Sequence, residues 1–191
     1  MRREEYIQNI TPLPSGYRKL RYLESTGTQY IQLNFGNDID KQYRVDFQVN
    51  RASSWIMGSV VSAGYVGDFG IATNTIRFST SYVTGLNLSN ARHIVEVDKS
   101  GYSIDGISTN WTTPVTSASS YYGNIRLFCA NASSLTPYGI IYRFETYDYT
   151  TGNLTMQLIP ALRIADSKPG LYDVVNNDFY TNAGSGEFLY S

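Results

Sequence analysis

Two acids that share a strand face can cleave a glycosidic bond, because an acid and a nucleophile must flank the same linkage. The nearest approach to that pattern in this chain is Glu96-Val-Asp98. No third acid follows at strand spacing, and Lys99-Ser100-Gly101 turns the chain at Asp98. The plainer expectation is a solvated strand face running into a turn. Asp46 and Glu145 are expected on polar faces, each isolated. His93 is the only histidine, which excludes a two-histidine metal site within one chain. It shares a face with Val95 and Val97, so it is expected partly buried with its polar atoms satisfied. A serine triad would also need a Gly-x-Ser-x-Gly elbow, and none is present. No enzymatic activity is expected, and a glycoside hydrolase stands last among the readings.

Calcium is bound by loop carboxylates and carbonyls. Asp38, Asp40, Asp166, Asp173 and Asp178 fall in expected loops, but no spacing selects a set of them. Calcium therefore stays open, and no cofactor is expected. A sugar needs a ring to stack on and amides for its hydroxyls. Trp111 with Tyr121 and Tyr122 flanks one long polar loop, with Asn110 and Asn124 nearby. These five residues are the candidate carbohydrate platform; the alternative is that the aromatics cap the ends of the fold.

Such residues would be held by strands. Tyr43, Val45, Phe47 and Val49 alternate with Arg44, Asp46 and Gln48, the period of a half-buried strand. Ile31, Leu33 and Phe35 alternate with Gln32 and Asn34 after a turn at Ser25-Thr26-Gly27. Arg92–Val97 and Tyr102–Gly106 read as a hairpin about Asp98–Gly101. Trp55–Gly58 starts a strand expected to end in the Gly-rich stretch 64–70, and a further strand centres on Ile76–Phe78. Thr109–Tyr122 reads as a long loop. Asn124–Ala130, Gly139–Tyr149 and Leu154–Ile164 read as strands, followed by shorter ones in the tail. No segment has sustained helical periodicity. Many short strands at regular spacing predict an all-β, two-sheet antiparallel jelly-roll sandwich.

The chain has 191 residues, enough for one such domain, and a formal net charge of −1 from 15 basic and 16 acidic residues. No basic footprint for nucleic acid is present. A single cysteine, Cys129, excludes an internal disulfide and sits in an apolar run. No apolar run has the length of a membrane span, and the first residues lack a signal-peptide core, so synthesis in a cytoplasm without export on its own signal is expected. The 17 tyrosines suit a sandwich with contact faces. Residues 1–15 read as an N-terminal arm before the domain at 16–191. Arg2, Arg3, Tyr6, Ile7 and Ile10 are its candidate assembly contacts.

Two stretches carry a resemblance. Leu13-Pro-Ser-Gly-Tyr17 leads into Tyr22-Leu-Glu-Ser-Thr-Gly-Thr-Gln-Tyr-Ile31; near the end stand Gly170-Leu-Tyr-Asp173 and Phe179-Tyr-Thr-Asn-Ala-Gly-Ser-Gly186. In these the chain resembles the concanavalin A-like, laminin-G-like jelly rolls of gut bacteria and their phages. It departs from them at Gln32-Leu-Asn-Phe-Gly36 and at Arg163–Lys168. The resemblance implies a non-catalytic display module of a bacteriophage virion, as capsid decoration, head fibre or tail-associated protein. Its partners would be other virion or surface proteins, in an oligomer. The alternative is a carbohydrate-binding lectin or adhesin module at a bacterial cell surface, with cell-surface glycans as partners.

Overall fold

Period-two alternation runs along most of the chain, and each alternating run closes into a strand because only that repeat puts one side in a core and the other in water. The computed structural model describes residues 12–49, 55–62, 65–117, 123–129 and 138–191, with backbone only at 60–62 and 65–68. The strands among them are β1 (Tyr17–Lys19), β2 (Leu23–Thr26), β3 (Ile31–Gly36), β4 (Lys41–Val49), β5 (Trp55–Ser62) and β6 (Tyr65–Ala72). Then follow β7 (Thr75–Phe78), β8 (Ser81–Thr84), β9 (Arg92–Val97), β10 (Gly101–Ile104), β11 (Ile107–Asn110) and β12 (Asn124–Leu127). The last are β13 (Tyr138–Asp148), β14 (Leu154–Arg163), β15 (Lys168–Asp173), β16 (Phe179–Thr181) and β17 (Leu189–Tyr190).

Eleven strands form one antiparallel sheet with the path β11-β10-β9-β4-β13-β14-β15-β16, and six form a second, β3-β12-β5-β6-β7-β8. The two face each other as a β-sandwich. Tyr43, Val45, Phe47 and Val49 of β4 are all fully buried, as their alternation requires. Across the interface the Tyr43 ring lies 4.5 Å from that of Phe69 in the smaller sheet. Burial pushes the Tyr43 phenol well above the ordinary tyrosine value, and its hydroxyl accepts the Asp38 N–H at 2.8 Å.

Inside the large sheet β13 and β14 diverge. They pair over Phe144–Tyr147, but Tyr138–Ile141 pairs instead with β2, and Arg163–Ala161 pairs with β1. The opening stretch thus wedges into the fork. From β2 the chain crosses to the other sheet and continues as β3, and the crossing is fixed by one side chain. Gln29, 2% exposed, turns its Oε1 back to accept the Thr26 N–H at 2.8 Å and the Ser25 hydroxyl at 3.2 Å. Gly27 stands at φ +110° in this turn, a conformation that other residues resist.

The closing stretch covers the crossing. Ala183 N–H donates to Tyr30 C=O at 2.9 Å, Ser185 N–H to Thr28 C=O at 3.2 Å, and Thr28 Oγ1–H to Ser185 C=O at 2.8 Å. The Asn182 carboxamide oxygen accepts the Tyr30 N–H at 3.2 Å. Phe188 then enters the core, 2% exposed, with its ring 5.2 Å from that of Phe128.

Two expectations are corrected. Residues 65–72 form a strand, paired with β7 and, through register shifts, with β5, rather than a Gly-rich end. There Gly70 admits the Trp55 ring, since a Cβ would come within 2.5 Å of it. Asp105-Gly106, both at positive φ, closes a hairpin in which Ile104 faces Ile107, so Thr109 and Asn110 are strand rather than loop. Ser81–Thr84 also pairs back on β7, through a turn with Ser79 at φ 52°.

Gly184→Ala should destabilise the sandwich by about 2–4 kcal/mol, because the new Cβ would lie 2.2 Å from the Thr28 carbonyl oxygen. Gly16→Ala, which meets nothing within 4 Å, is the control and should leave the melting temperature unchanged. Thermal unfolding of the two variants checks the pair.

Candidate functional site

Among the described residues β8 and β11 are the end strands of their sheets, and a groove of about 230 Å³ opens between them. Tyr82, Tyr102, Thr109, Asn110, Trp111 and Thr113 are among its lining residues. Tyr82 is 63% exposed, with the Arg77 guanidinium 5.8 Å from its ring centroid. Hydroxyls tie the groove's wall together: Ser81 Oγ–H donates to Thr113 C=O at 2.8 Å, and Ser79 Oγ–H to Ser117 C=O at 2.9 Å. Val115, 4% exposed, pins the same segment into the core. An aromatic face amid hydroxyls and an amide is chemistry that suits a polyhydroxylated ligand.

The sequence-predicted platform is divided. Asn110 and Trp111 share this groove, whereas Asn124 lines a different depression with Phe35 and Asn37. Tyr121 and Tyr122 lie outside the described residues, as do Arg2, Arg3, Tyr6, Ile7 and Ile10 of the arm. Trp111 is not the open stacking ring expected of it. It is 7% exposed, its indole N–H donates to Asp98 C=O at 2.8 Å, and its ring packs 5.2 Å from Tyr102. The indole needs a partner once buried, and the carbonyl of the Asp98 turn supplies it. The exposed aromatic of the groove is Tyr82, on a strand whose two-residue turn carries no glycine or asparagine to announce it.

The carboxylates are committed to structure. Ser103, Glu96, Arg44, Glu145 and Gln157 stand directly opposite one another on β10, β9, β4, β13 and β14, a polar rung across five strands. Glu96 accepts from Ser103 Oγ at 2.9 Å and pairs with Arg44 at 3.0 Å. Glu145, expected on a polar face and isolated, is 2% exposed and neither isolated nor solvated. It accepts from Gln157 Nε2 at 2.6 Å and Tyr147 Oη at 3.0 Å, with Arg143 at 3.5 Å. Desolvation, with the Glu145 carboxylate adding to it, pushes the Tyr147 phenol up to about 12. Asp46 is also buried rather than solvated, held by Arg92 through two bonds of 2.7 and 2.6 Å while that guanidinium stacks 3.8 Å from the Tyr142 ring. Asp98 folds onto its own turn, accepting from Ser100 N–H at 2.7 Å and Gly101 N–H at 3.2 Å.

His93 Nδ1 lies 2.8 Å from Asp105 Oδ2, its side chain 15% exposed. Of the loop acids considered for calcium, Asp40 meets Lys99 at 2.8 Å and Asp166 meets Arg163 at 2.7 Å. Asp173, fully buried, accepts the Gln157 and Val175 N–H groups. Among the described residues no three His, Cys, Asp or Glu side chains gather where they could hold a metal ion.

Trp111→Ala should cost about 3–5 kcal/mol of stability, since it empties a core position and leaves the hairpin turn uncapped. Tyr82→Ala should change stability by no more than about 0.5 kcal/mol, its ring being largely in solvent. Denaturant unfolding of the two proteins distinguishes the buried ring from the displayed one.

Comparison with known proteins gives no match: no protein-family model, no curated protein and no solved structure corresponds to this chain.

Proposed function

We propose that the chain is a non-catalytic structural module, a bacteriophage virion component that displays a lectin-like jelly roll of concanavalin A-like, laminin-G-like type. One observation carries this reading. The approach to the domain and its last strand lie together, with β17 paired to β2 and Arg21 N–H donating to Ser191 C=O. The groove lies at the far edge of the large sheet, five strand steps from β2 to β11 and therefore about 24 Å away. A domain held near Pro14 thus turns its groove outward. The bonding of Glu96, Asp98 and Glu145 supports a non-catalytic role, because each acid already has structural partners. The resemblance in two stretches supports the assignment to virion display, and those stretches pack on each other at the sheet crossing.

A second reading, a carbohydrate-binding module of a bacterial cell surface, is favoured by the groove itself. Tyr82, Asn110 and the threonine hydroxyls offer a ring face and hydrogen-bonding groups to one ligand.

The assembly reading places the contacts upstream of residue 12, because Pro14 C=O already accepts the Tyr17 N–H and belongs to the folded domain. Light scattering on the full chain and on residues 12–191 tests it. The full chain is expected to form a defined oligomer, and the shortened one a monomer with an unchanged melting temperature. Equal masses for the two subunit assemblies would contradict the reading.

A further inference from the structure

The six-stranded sheet carries a rung of its own. Gln32, Arg126, Gly58, Gly70, Arg77 and Tyr82 stand directly opposite one another on β3, β12, β5, β6, β7 and β8. The residues before and after Gln32, Arg126, Gly70 and Arg77 are fully buried, so the rung lies on the outer face of the sheet. At its middle, over Gly70, lies the half-buried Trp55 ring.

The arginines on either side are placed by neutral groups. Arg126 Nε–H donates to Gln32 Oε1 at 2.6 Å, and its guanidinium lies 4.7 Å from the Tyr30 ring centroid. The Arg77 guanidinium leans the other way, 5.8 Å from the Tyr82 ring centroid. Among the described residues neither pairs with a carboxylate, whereas Arg44, Arg92, Arg143 and Arg163 of the large sheet each do. The six strands of the small sheet hold no lysine, no glutamate and one aspartate, Asp68. A face of tryptophan, tyrosine and arginine, poor in lysine and glutamate, has the composition of a protein contact rather than of a solvated sheet.

We propose that this face binds an extended acidic segment of another protein. A guanidinium takes a carboxylate through two parallel N–H bonds, and Arg126 spends a single N–H on Gln32. Arg126 and Arg77 are three strand steps apart, about 14 Å. An extended segment covers that distance in about four residues. Side chains two apart share its face, so the segment carries acids at its first and fifth places and an apolar residue at the third, above Trp55. No two acids of this chain stand four residues apart, which points to a foreign segment rather than a strand of a second copy. This face is additional to the arm contacts of the assembly reading and does not depend on them.

Nitrogen-15 chemical-shift titration of the full chain tests this with the peptide acetyl-Glu-Ser-Phe-Ser-Glu-amide, and with acetyl-Lys-Ser-Phe-Ser-Lys-amide as the charge-reversed probe. The expected result is a saturable shift of the Trp55 indole N–H and the Arg77 and Arg126 Nε–H signals by the acidic peptide alone. The buried Trp111 indole should not move. Arg77→Gln and Arg126→Gln should each weaken the acidic peptide about tenfold, through loss of one charge-assisted contact. Arg18→Gln, at an exposed arginine of β1 in the other sheet, should leave binding unchanged. No saturable shift, shifts confined to the large sheet, an equal response to the lysine peptide, or undiminished binding in either Arg77→Gln or Arg126→Gln would overturn the proposal. Movement of the same signals with protein concentration alone would make the face a self-contact and overturn it as well. An arm-dependent oligomer found beside any of these failures would leave the assembly reading standing.

Discussion

The rest of the sandwich depends on the Gln29 side chain and the turn it closes. One residue earlier in the chain the backbone belongs to the turn that leaves the large sheet; two residues later it is β3 in the small one. A polar amide buried at that point is tolerated because its Oε1 collects the Thr26 N–H and the Ser25 hydroxyl. Leaving such groups unpaired costs about 1–3 kcal/mol each, so the turn has one arrangement rather than several. Residues 182–186 then lay four bonds across it from the other end of the chain. The closure is non-local, joining segments more than 150 residues apart in sequence, as Thr28 and Ser185 do. It carries a large loop-closure entropy, and the reward comes only when both sheets are formed.

The polar rung on the outer face of the large sheet plays a different part. Arg44 lies between Glu96 and Glu145, and the latter is almost wholly buried. Buried ion pairs are poor sources of net stability, since desolvation offsets most of the attraction. They are strict about position, however. A one-residue slip of β4 against β13 would turn Arg44 inward and take it away from Glu145, so the rung fixes register where alternation alone permits several pairings. The same bonds orient the acids of this sheet face, Glu96 toward Ser103 and Arg44 and Glu145 toward Gln157 and Tyr147.

The sheet architecture was legible because its signal is local. Tyr43 through Val49 can be read from seven consecutive residues, and Asp98–Gly101 announces its own turn. Asp46 and Glu145 were misread as isolated and solvated because their partners, Arg92 and Gln157, come 46 and 12 residues later and meet them only through strand pairing. Trp111 was legible as an aromatic beside a polar loop, but not as a turn cap, since the acceptor is a backbone carbonyl at Asp98. Asn37 carried no signal at all. Nothing in Gly36-Asn-Asp38 tells that one amide oxygen is buried without a partner. Asp105-Gly106 did carry the usual hairpin signal, and the strand beyond it was readable in principle.

The central claim is that the Gln29 turn joins the two sheets into one cooperative unit. Native-state hydrogen exchange at the Thr26 amide, whose proton is held by Gln29 Oε1, tests it most directly. The account predicts that Thr26 exchanges with the same opening free energy as the Val45 and Phe47 amides in β4, that is, only when the whole sandwich unfolds. Exchange of Thr26 through a smaller, local opening while β4 stays protected would contradict it, and the crossing would then be a surface detail of two sheets that hold together without it.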